Sequence, residues 1–417
     1  MPTEDTPTAA RIDIVIAAIA IQYCLGAIYA WSAFTPTLKE AGWSVLQTQI
    51  VFSVGLVTFA IVMVLAGRLL PKLGPRTVCL SGGILLGLGY VLAGLFGGTS
   101  FPLLLVFIGI LGGAGIGLSY VVPIAVGVRW YPHRKGLISG LAVAGFGFGA
   151  MLWIKLAGDW GHLLDTIGLG GTLVAYGITF ALVVGIGSFW MFFPPAGWAP
   201  QVPAGKAKAV QAGPDLDSGA MLRTPQYFII VLSFAFGAAA GLMSIGIMKL
   251  FPEEALVGSG IDPVKAGALA GTAAGVYYAL ANGLGRIIWG MVGDKLGCKR
   301  SIILMSVFQG LVVYCFQFMA GTPFLLFVGA ALIGFNYGGI FALFPTITAE
   351  TFGAKHIGQN YGWVFLAYAI GGIIGPNLAG KLGDLGNFPL AFTICGALCV
   401  VAGLIVLPLR PPKHVHG

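Results

Sequence analysis

Long apolar segments follow one another along almost the whole chain, and no other feature limits the fold as strongly. A helix needs about 20 mostly apolar residues to cross a bilayer, and we place twelve such segments in the 417 residues. Only 9% of the residues are charged and 58% are hydrophobic, which excludes a soluble globular protein. The apolar runs are continuous rather than alternating, which favours helices over a β-barrel. The sequence therefore predicts an all-α membrane protein with 12 transmembrane helices.

One polar stretch, residues 195–225, interrupts this series and is rich in Pro, Ala, Gly and Lys. It predicts a flexible linker between two six-helix bundles, residues 1–194 and 226–417. The predicted spans are 12–35, 45–69, 78–97, 102–127, 137–157, 172–194, 226–250, 264–289, 301–320, 323–347, 360–381 and 388–409.

The two halves repeat one another. The stretch from Gly67 to Arg76 has a counterpart from Gly290 to Arg300. The segment 116–120, which ends in Tyr120, is echoed by 333–337. Nearly constant spacing between the copies predicts pseudo-symmetric halves. Such repeats are typical of transporters whose halves move around a site at the membrane midplane.

The distribution of charge predicts the orientation of the chain. The net charge is +8, but most of the 22 Lys and Arg residues fall in loops that we place on one side. The positive-inside rule then predicts cytoplasmic termini and a multi-pass protein of the plasma or inner cell membrane. Because the excess charge follows the topology, it does not indicate binding to nucleic acid.

One helix face carries the residues most capable of chemistry. Tyr278, Asn282 and Arg286 are spaced four residues apart inside the eighth span, so they share a face. An arginine within a membrane usually faces a partner or a water-filled cavity, which predicts an anion site. The alternative is that its head group reaches the membrane surface, since Gly290 begins the next loop only four residues later.

Signatures of other protein classes are missing from the sequence. The six cysteines lack His or carboxylate neighbours at ligand spacing, so we expect no metal. Neither H-E-x-x-H nor G-x-x-x-x-G-K-[ST] occurs, and we expect neither an enzyme nor a cofactor. A sensor or structural module would be expected to carry a sizeable soluble domain, and the longest polar stretch here is the linker.

The two repeated loops resemble the signature of the major facilitator superfamily. The second copy matches well, through Gly290, Asp294 and Arg300, whereas the first has Pro71 where the family usually has Asp. The resemblance implies that these loops gate the transporter. The gating candidates are Gly67, Arg76, Gly290, Asp294 and Arg300. The alternative is that the basic loops only fix the topology.

Within that superfamily, the chain resembles the monocarboxylate transporter and oxalate–formate antiporter group along nearly its whole length. The features that carry the resemblance are Tyr29-Ala30-Trp31 before Lys39-Glu40, Arg129-Trp130-Tyr131-Pro132, the stretch from Met221 to Gln226, and Arg286. The resemblance implies an organic-anion carrier in which Arg286 binds a carboxylate, and a guanidinium fork does match a carboxylate.

Departures from the group narrow the expected substrate. Asn282 and Ser32 stand where animal monocarboxylate transporters have Asp and Lys, and Tyr368 stands where oxalate carriers have a second buried lysine. A single buried cation fits a monoanion better than a dianion. We therefore expect a small monocarboxylate such as L-lactate, pyruvate or acetate.

Partners of Arg286 are expected on other helices. Tyr120 and Tyr337 are related by the repeat and are predicted to face each other, although packing at helix interfaces is the alternative for each. Leu25, Tyr29, Leu141, Phe335 and Phe341 could form an apolar wall or simply pack in the core.

Coupling to protons is predicted without a membrane-embedded carboxylate. None of the 14 acidic residues or five histidines falls near the centre of a predicted span. The proton could travel on the substrate, on water or on a tyrosine hydroxyl. The main prediction is a monomeric proton symporter, and the alternatives are an exchanger of the oxalate–formate type and a pH-independent uniporter.

Overall fold

The computed structural model describes residues 12–131, 135–195, 215–353, 356–410 and 412. Twelve long helices make up most of this part of the chain, and we number them α1 to α12. They are α1 (Ile12–Ala33), α2 (45–73), α3 (75–97), α4 (101–130), α5 (Lys135–Ala157), α6 (Leu163–Ser188), α7 (Pro225–Ile247), α8 (263–296), α9 (Cys298–Met319), α10 (Pro323–Phe352), α11 (Ile357–Asp384) and α12 (Phe388–Ile405).

The prediction of twelve crossings is confirmed. Ten helices are long and apolar enough to cross a membrane, and one of these, Val45–Gly97, holds 53 residues. At 1.5 Å per residue it would be about 80 Å long, so it must cross twice, and its backbone turns at Gly74 into α2 and α3. α8 completes the set, interrupted by a π-helical stretch at Ala273–Tyr278.

The turn at Gly74 is shorter than the loop predicted between spans 45–69 and 78–97. Gly74 has φ 78°, a conformation that glycine adopts without steric cost, and its neighbours remain helical. Gly297 has φ 86° between α8 and α9, at the equivalent place in the second half. The repeated loop therefore contains a glycine with positive φ in both halves.

Several predictions concern residues outside the described part of the chain. Most of the predicted linker, residues 196–214, belongs there, as do residues 1–11 and 413–417 at the two ends. Pro132 in the quoted loop after Arg129 also belongs there.

The outer surface of the bundle is apolar, as a lipid-facing surface must be. Ile61, Leu88, Leu182 and Phe318 are between 49% and 69% exposed. Polar side chains such as Gln22, Asn282 and Arg286 lie in the interior instead. This inside-out distribution of polarity agrees with a multi-pass membrane protein.

Glycines allow the helices around the centre to approach closely. A Cβ atom at Gly338 of α10 would collide with the carbonyl of Asn282 on α8, and one at Gly285 with the carbonyl of Phe335. Close helix contacts through small residues are typical of membrane proteins. This packing fixes α8 against α10 and so determines where Arg286 and Tyr337 point.

The first six helices contact the last six mainly through α2 with α11 and through α5 with α8. We call the end of the bundle that carries residues 195 and 215 the linker end, and the opposite end the far end. At the far end, the Asp384 carboxylate accepts hydrogen bonds from the backbone N–H groups of Val45 (2.7 Å) and Leu46 (3.1 Å). At the linker end, the Arg68 guanidinium lies 5.5 Å from the centre of the Trp363 ring.

Candidate functional site

Arg286 of α8 is fully buried, with 0% of its surface exposed, so its head group does not reach solvent. Its Nε donates a hydrogen bond to Asn282 Oδ1 at 3.1 Å, one helical turn away. Within the described part of the chain, neither Nη atom has a hydrogen-bond partner. The guanidinium therefore presents two donors that a carboxylate would satisfy.

Aromatic rings enclose this guanidinium. Its Cζ atom lies 4.1 Å from the centre of the Phe341 ring and 5.7 Å from that of Phe146. Such rings attract a cation weakly through their faces and exclude water. They come from α10 and α5, so both halves of the molecule contribute to the surroundings of Arg286.

Three tyrosine hydroxyls meet beside the arginine. The hydroxyl of Tyr29 lies 3.1 Å from that of Tyr337 and 2.9 Å from that of Tyr368. Tyr29 is held in place by the 3₁₀ segment Gly26–Ala33 at the end of α1. Phe146, whose ring centre lies 5.0 Å from that of Tyr29, also faces the guanidinium, so the tyrosines and Arg286 share one aromatic surrounding.

Tyr278 lies at the end of the π-helical stretch of α8 and donates a hydrogen bond to the carbonyl of Gly241 at 3.2 Å. Short π-helical stretches occur frequently at functional sites because they redirect side chains. Here the stretch turns Tyr278 toward α7, and Asn282 follows one helical turn later on the same side as Arg286.

Tyr120 and Tyr337 are both buried, but they meet different neighbours. The Tyr120 ring lies 5.0 Å from Phe59 and 5.3 Å from Phe146, whereas Tyr337 pairs with Tyr29. Instead of a direct tyrosine pair across the repeat axis, Phe146 and Tyr29 lie between them. The Phe146 ring lies against both Tyr120 and Arg286, so Tyr120 remains part of the site's surroundings.

A cavity extends from the site toward the far end. It is small, with room for about one water molecule, and lies between α1, α5, α7 and α8. Tyr29, Ser32, Tyr278 and Asn282 line it, so four predicted site residues share one cavity. Ile154 of α5 belongs to its far end. Asn282, which lines the cavity, also accepts the hydrogen bond from Arg286 Nε.

Phe365 and Phe59, which carried no signal in the sequence, pack against two of the predicted tyrosines. Phe365 interrupts the helix of α11 and is fully buried. Its ring centre lies 4.9 Å from Tyr368, 5.2 Å from Phe59 and 5.7 Å from Tyr120. Phe365 and Phe59 therefore extend the aromatic surroundings of the site.

The remaining predicted residues lie farther from the guanidinium. Phe335 is only partly buried and packs against Trp289, with ring centres 6.0 Å apart. Leu141 is partly buried in α5, whose neighbouring Gly140 lies against the α8 backbone at Arg286. Of the two phenylalanines considered for the apolar wall, Phe341 is the one whose ring faces Arg286.

Two of the candidate gating residues lie in the first half of the chain and three in the second, and their contacts differ. Gly67 faces the carbonyl of Gly358 across the α2–α11 contact, whereas Arg76 donates to the carbonyl of Phe189 at 2.8 Å within the first half. Gly290 packs near Ala342, and Asp294 and Arg300 are exposed. Within the described residues, no group of three His, Cys, Asp or Glu side chains could hold a metal ion.

Comparisons with known proteins agree with this architecture. The family described as the Major Facilitator Superfamily matches residues 16–274 and 250–417. A solved relative, FucP in the outward conformation, aligns over 94% of this chain and 97% of its own, with a TM-score of 0.61 and 17% identity. That likeness shows the fold.

Sequence relatives include several named transporters. The uncharacterized MFS-type transporter YhjX of Escherichia coli (strain K12) is 30% identical, covering 86% of this chain and 85% of the relative. The oxalate:formate antiporter of Oxalobacter formigenes is 27% identical, over 96% and 93% of the two chains. Monocarboxylate transporter 13 of Rattus norvegicus is 28% identical, over 81% and 74%.

The relatives with a named function are transporters rather than enzymes. Twelve helices in two pseudo-symmetric bundles, together with these matches, lead to one conclusion about identity. The chain belongs to the major facilitator superfamily and is related to the oxalate:formate antiporter and the monocarboxylate transporters.

Proposed function

We propose that this protein is a secondary active transporter of small monocarboxylates of the lactate or pyruvate type, coupled to protons. The observation that carries the proposal is a fully buried Arg286 with two Nη groups that have no hydrogen-bond partner among the described residues. A buried cation without an anionic partner is unfavourable by several kcal/mol. A carboxylate bound to the guanidinium fork removes that cost.

The surroundings of the arginine favour a monoanion. Tyr368, where oxalate carriers of the resembled group have lysine, supplies a hydroxyl to Tyr29 instead of a second positive charge. A dianion would keep one carboxylate without a counter-charge among buried rings. The hydroxyls of Tyr29, Tyr337 and Tyr368 are suited to hydrogen-bond a carboxylate or the hydroxyl of L-lactate.

Transport proceeds by alternating access of two halves, residues 1–194 and 226–417, joined by the linker 195–225. Binding of the anion neutralises Arg286 and lowers the barrier to closing the halves around it. The linker end faces the cytoplasm together with both termini, in the plasma or inner membrane. Asp294, Arg300, Gly290, Gly67 and Arg76 belong to the loops that gate the linker end, and the protein works as a monomer.

The proton moves with the substrate. No Asp, Glu or His lines the cavity described above, so an acidic relay next to the anion is not available there. The proton is carried on the acid itself or on the hydroxyl network beside Arg286. Transport of one anion with one proton is electroneutral.

Uptake into proteoliposomes tests the function. Liposomes that contain the wild-type protein and have an alkaline lumen are expected to accumulate labelled L-lactate. The accumulation is expected to disappear when an ionophore removes the pH gradient. Pyruvate and acetate are expected to compete, and oxalate much less. Failure of the gradient to drive accumulation would contradict symport.

An anion exchanger is the second candidate, because the oxalate:formate antiporter matches 96% of the chain. An exchanger takes up labelled substrate only when the liposomes are preloaded with a counter-anion. Uptake by empty liposomes that responds to the pH gradient distinguishes the symporter. Uptake by empty liposomes that ignores pH indicates a uniporter.

A further inference from the structure

A second buried cation follows Ile154, the residue that lines the far end of the cavity. Lys155 of α5 is only 4% exposed. Its Nζ donates to Thr272 Oγ1 of α8 at 3.1 Å and to Asp159 Oδ2 at 2.5 Å. Lys155 therefore joins the two halves of the molecule. From the sequence, Lys155 is expected to be an anchor at the membrane interface rather than a ligand.

The ion pair is asymmetric in its access to solvent. The side chain of Asp159 is 47% exposed, whereas that of Lys155 is 5% exposed. The half-exposed carboxylate of Asp159 can be hydrated when it leaves Lys155, whereas the ammonium of Lys155 stays among protein atoms. A buried ammonium that loses its carboxylate is strongly unfavourable until another anion replaces it. The pair is thus arranged so that an incoming carboxylate can exchange with Asp159.

Lys155 also lies nearer the far end than Arg286 does, beside the π-helical stretch of α8. The preceding residue, Ile154, lines the cavity, and a Cβ at Gly275 of α8 would lie 3.7 Å from Lys155 Cε. Gly275 belongs to the same π-helical stretch as Ala274 and Tyr278, which line the cavity. From Thr272 to Asn282 the helix rises about 15 Å. An anion entering from the far end therefore meets Lys155 before it reaches Asn282 and Arg286.

We propose that Lys155 is a second anion-binding residue, where a carboxylate displaces Asp159 before passing to Arg286. When the anion moves inward, Asp159 returns to Lys155. The contact of Lys155 with Thr272 then holds α5 against α8 behind the substrate. Lys155 thus attracts the anion, and its contact with Thr272 couples the movement of the anion to the contact between the two halves. This inference rests on the proposed carboxylate transport.

Kinetics of L-lactate uptake by intact cells separate this role from a structural ion pair. Lys155→Gln removes the attracting charge and is expected to raise KM about tenfold, the lower range of electrostatic steering. Asp159→Asn removes the competing carboxylate and is expected to lower KM. Lys155→Arg keeps the charge and is expected to remain close to wild type. Lys381→Gln, at an exposed lysine of the far end, is the matched control and is expected to leave KM unchanged.

The directions in which KM changes in Lys155→Gln and in Asp159→Asn distinguish anion binding by Lys155 from a structural ion pair. A purely structural pair is broken equally by Lys155→Gln and Asp159→Asn, so KM would shift in the same direction in both. That result, or an unchanged KM in Lys155→Gln, would overturn the role of Lys155 while leaving the proposed function intact. No carboxylate uptake by the wild type would overturn both. If Lys155→Gln does not fold, the fall in KM of Asp159→Asn still tests the exchange.

Discussion

Arg286 and Asn282 illustrate how neighbouring residues on one helix would prepare the proposed anion site. The hydrogen bond from Nε to Asn282 Oδ1 fixes the plane of the guanidinium and leaves both Nη groups directed elsewhere. An aspartate in place of Asn282 would put a second charge beside the arginine and compete with the substrate. The neutral amide orients the arginine without cancelling its charge.

Tyr368→Lys is expected to change the preferred charge of the substrate. The ammonium would lie near Tyr29 and add the second buried cation that a dicarboxylate requires. We expect oxalate to raise the thermal unfolding temperature of Tyr368→Lys but not that of wild type. Tyr368→Phe, which removes only the hydroxyl, is the control and should not respond to oxalate. If oxalate leaves the unfolding temperature of Tyr368→Lys unchanged, the claim that the single buried cation selects a monoanion is contradicted.

The spacing of Tyr278, Asn282 and Arg286 allowed their shared face to be predicted, because helical periodicity relates residues within one span. Neighbours from other helices were harder to predict. Phe146 and Phe365 carry no periodic signal, since every face of a membrane span is apolar. Lys155 and Asp159 are spaced four residues apart, and that spacing was the available signal for their ion pair.

At the scale of helices, small residues position the site. α8 reaches α10 so closely that a Cβ at Gly285 would collide with the carbonyl of Phe335. The repeat of the halves predicted which segments correspond, but not how near these two helices lie. The distance between the two helices depends on the residues of the facing helix, so the periodicity of one helix cannot predict it.

Gly285→Ala is expected to destabilise the protein by about 1 to 3 kcal/mol, the usual cost of overpacking a tight contact. It should also displace Arg286, the next residue, and weaken L-lactate binding. Gly271→Ala in the same helix is the matched control, because no atom lies within 4 Å of its Cβ. Thermal unfolding and equilibrium binding measure the two effects. Equal stability of the two variants would argue against the close α8–α10 contact.

At the scale of the whole molecule, the two halves are joined at both ends of the bundle. The far end is held by Asp384, which accepts two backbone N–H groups at the start of α2, and by Asn377, whose Nδ2 donates to Ser53 Oγ at 2.9 Å. The negative carboxylate also matches the positive end of the helix dipole. Opening toward the far end requires these contacts to break.

Asp384→Ala is expected to favour the state that is open at the far end. Hydrogen bonds to a charged group contribute about 1.5 to 3 kcal/mol, so the open population should rise about tenfold or more. The open population can be measured with a cysteine introduced at Ala150, which lines the cavity. A larger open population makes alkylation of this cysteine by an impermeant maleimide faster. Glu40→Gln, at an exposed acid of the same end, should leave the rate unchanged. Slower or unchanged alkylation in Asp384→Ala would contradict a closing role for this contact.

Equilibrium binding of labelled L-lactate to purified protein tests the central claim, that the Arg286 fork holds the carboxylate. We expect Arg286→Lys to bind at least about tenfold more weakly than wild type, a loss of about 1.4 kcal/mol, because lysine lacks the fork. Arg68→Lys, at an exposed arginine of α2, should bind like wild type. Binding by Arg286→Lys equal to that of wild type would contradict the account.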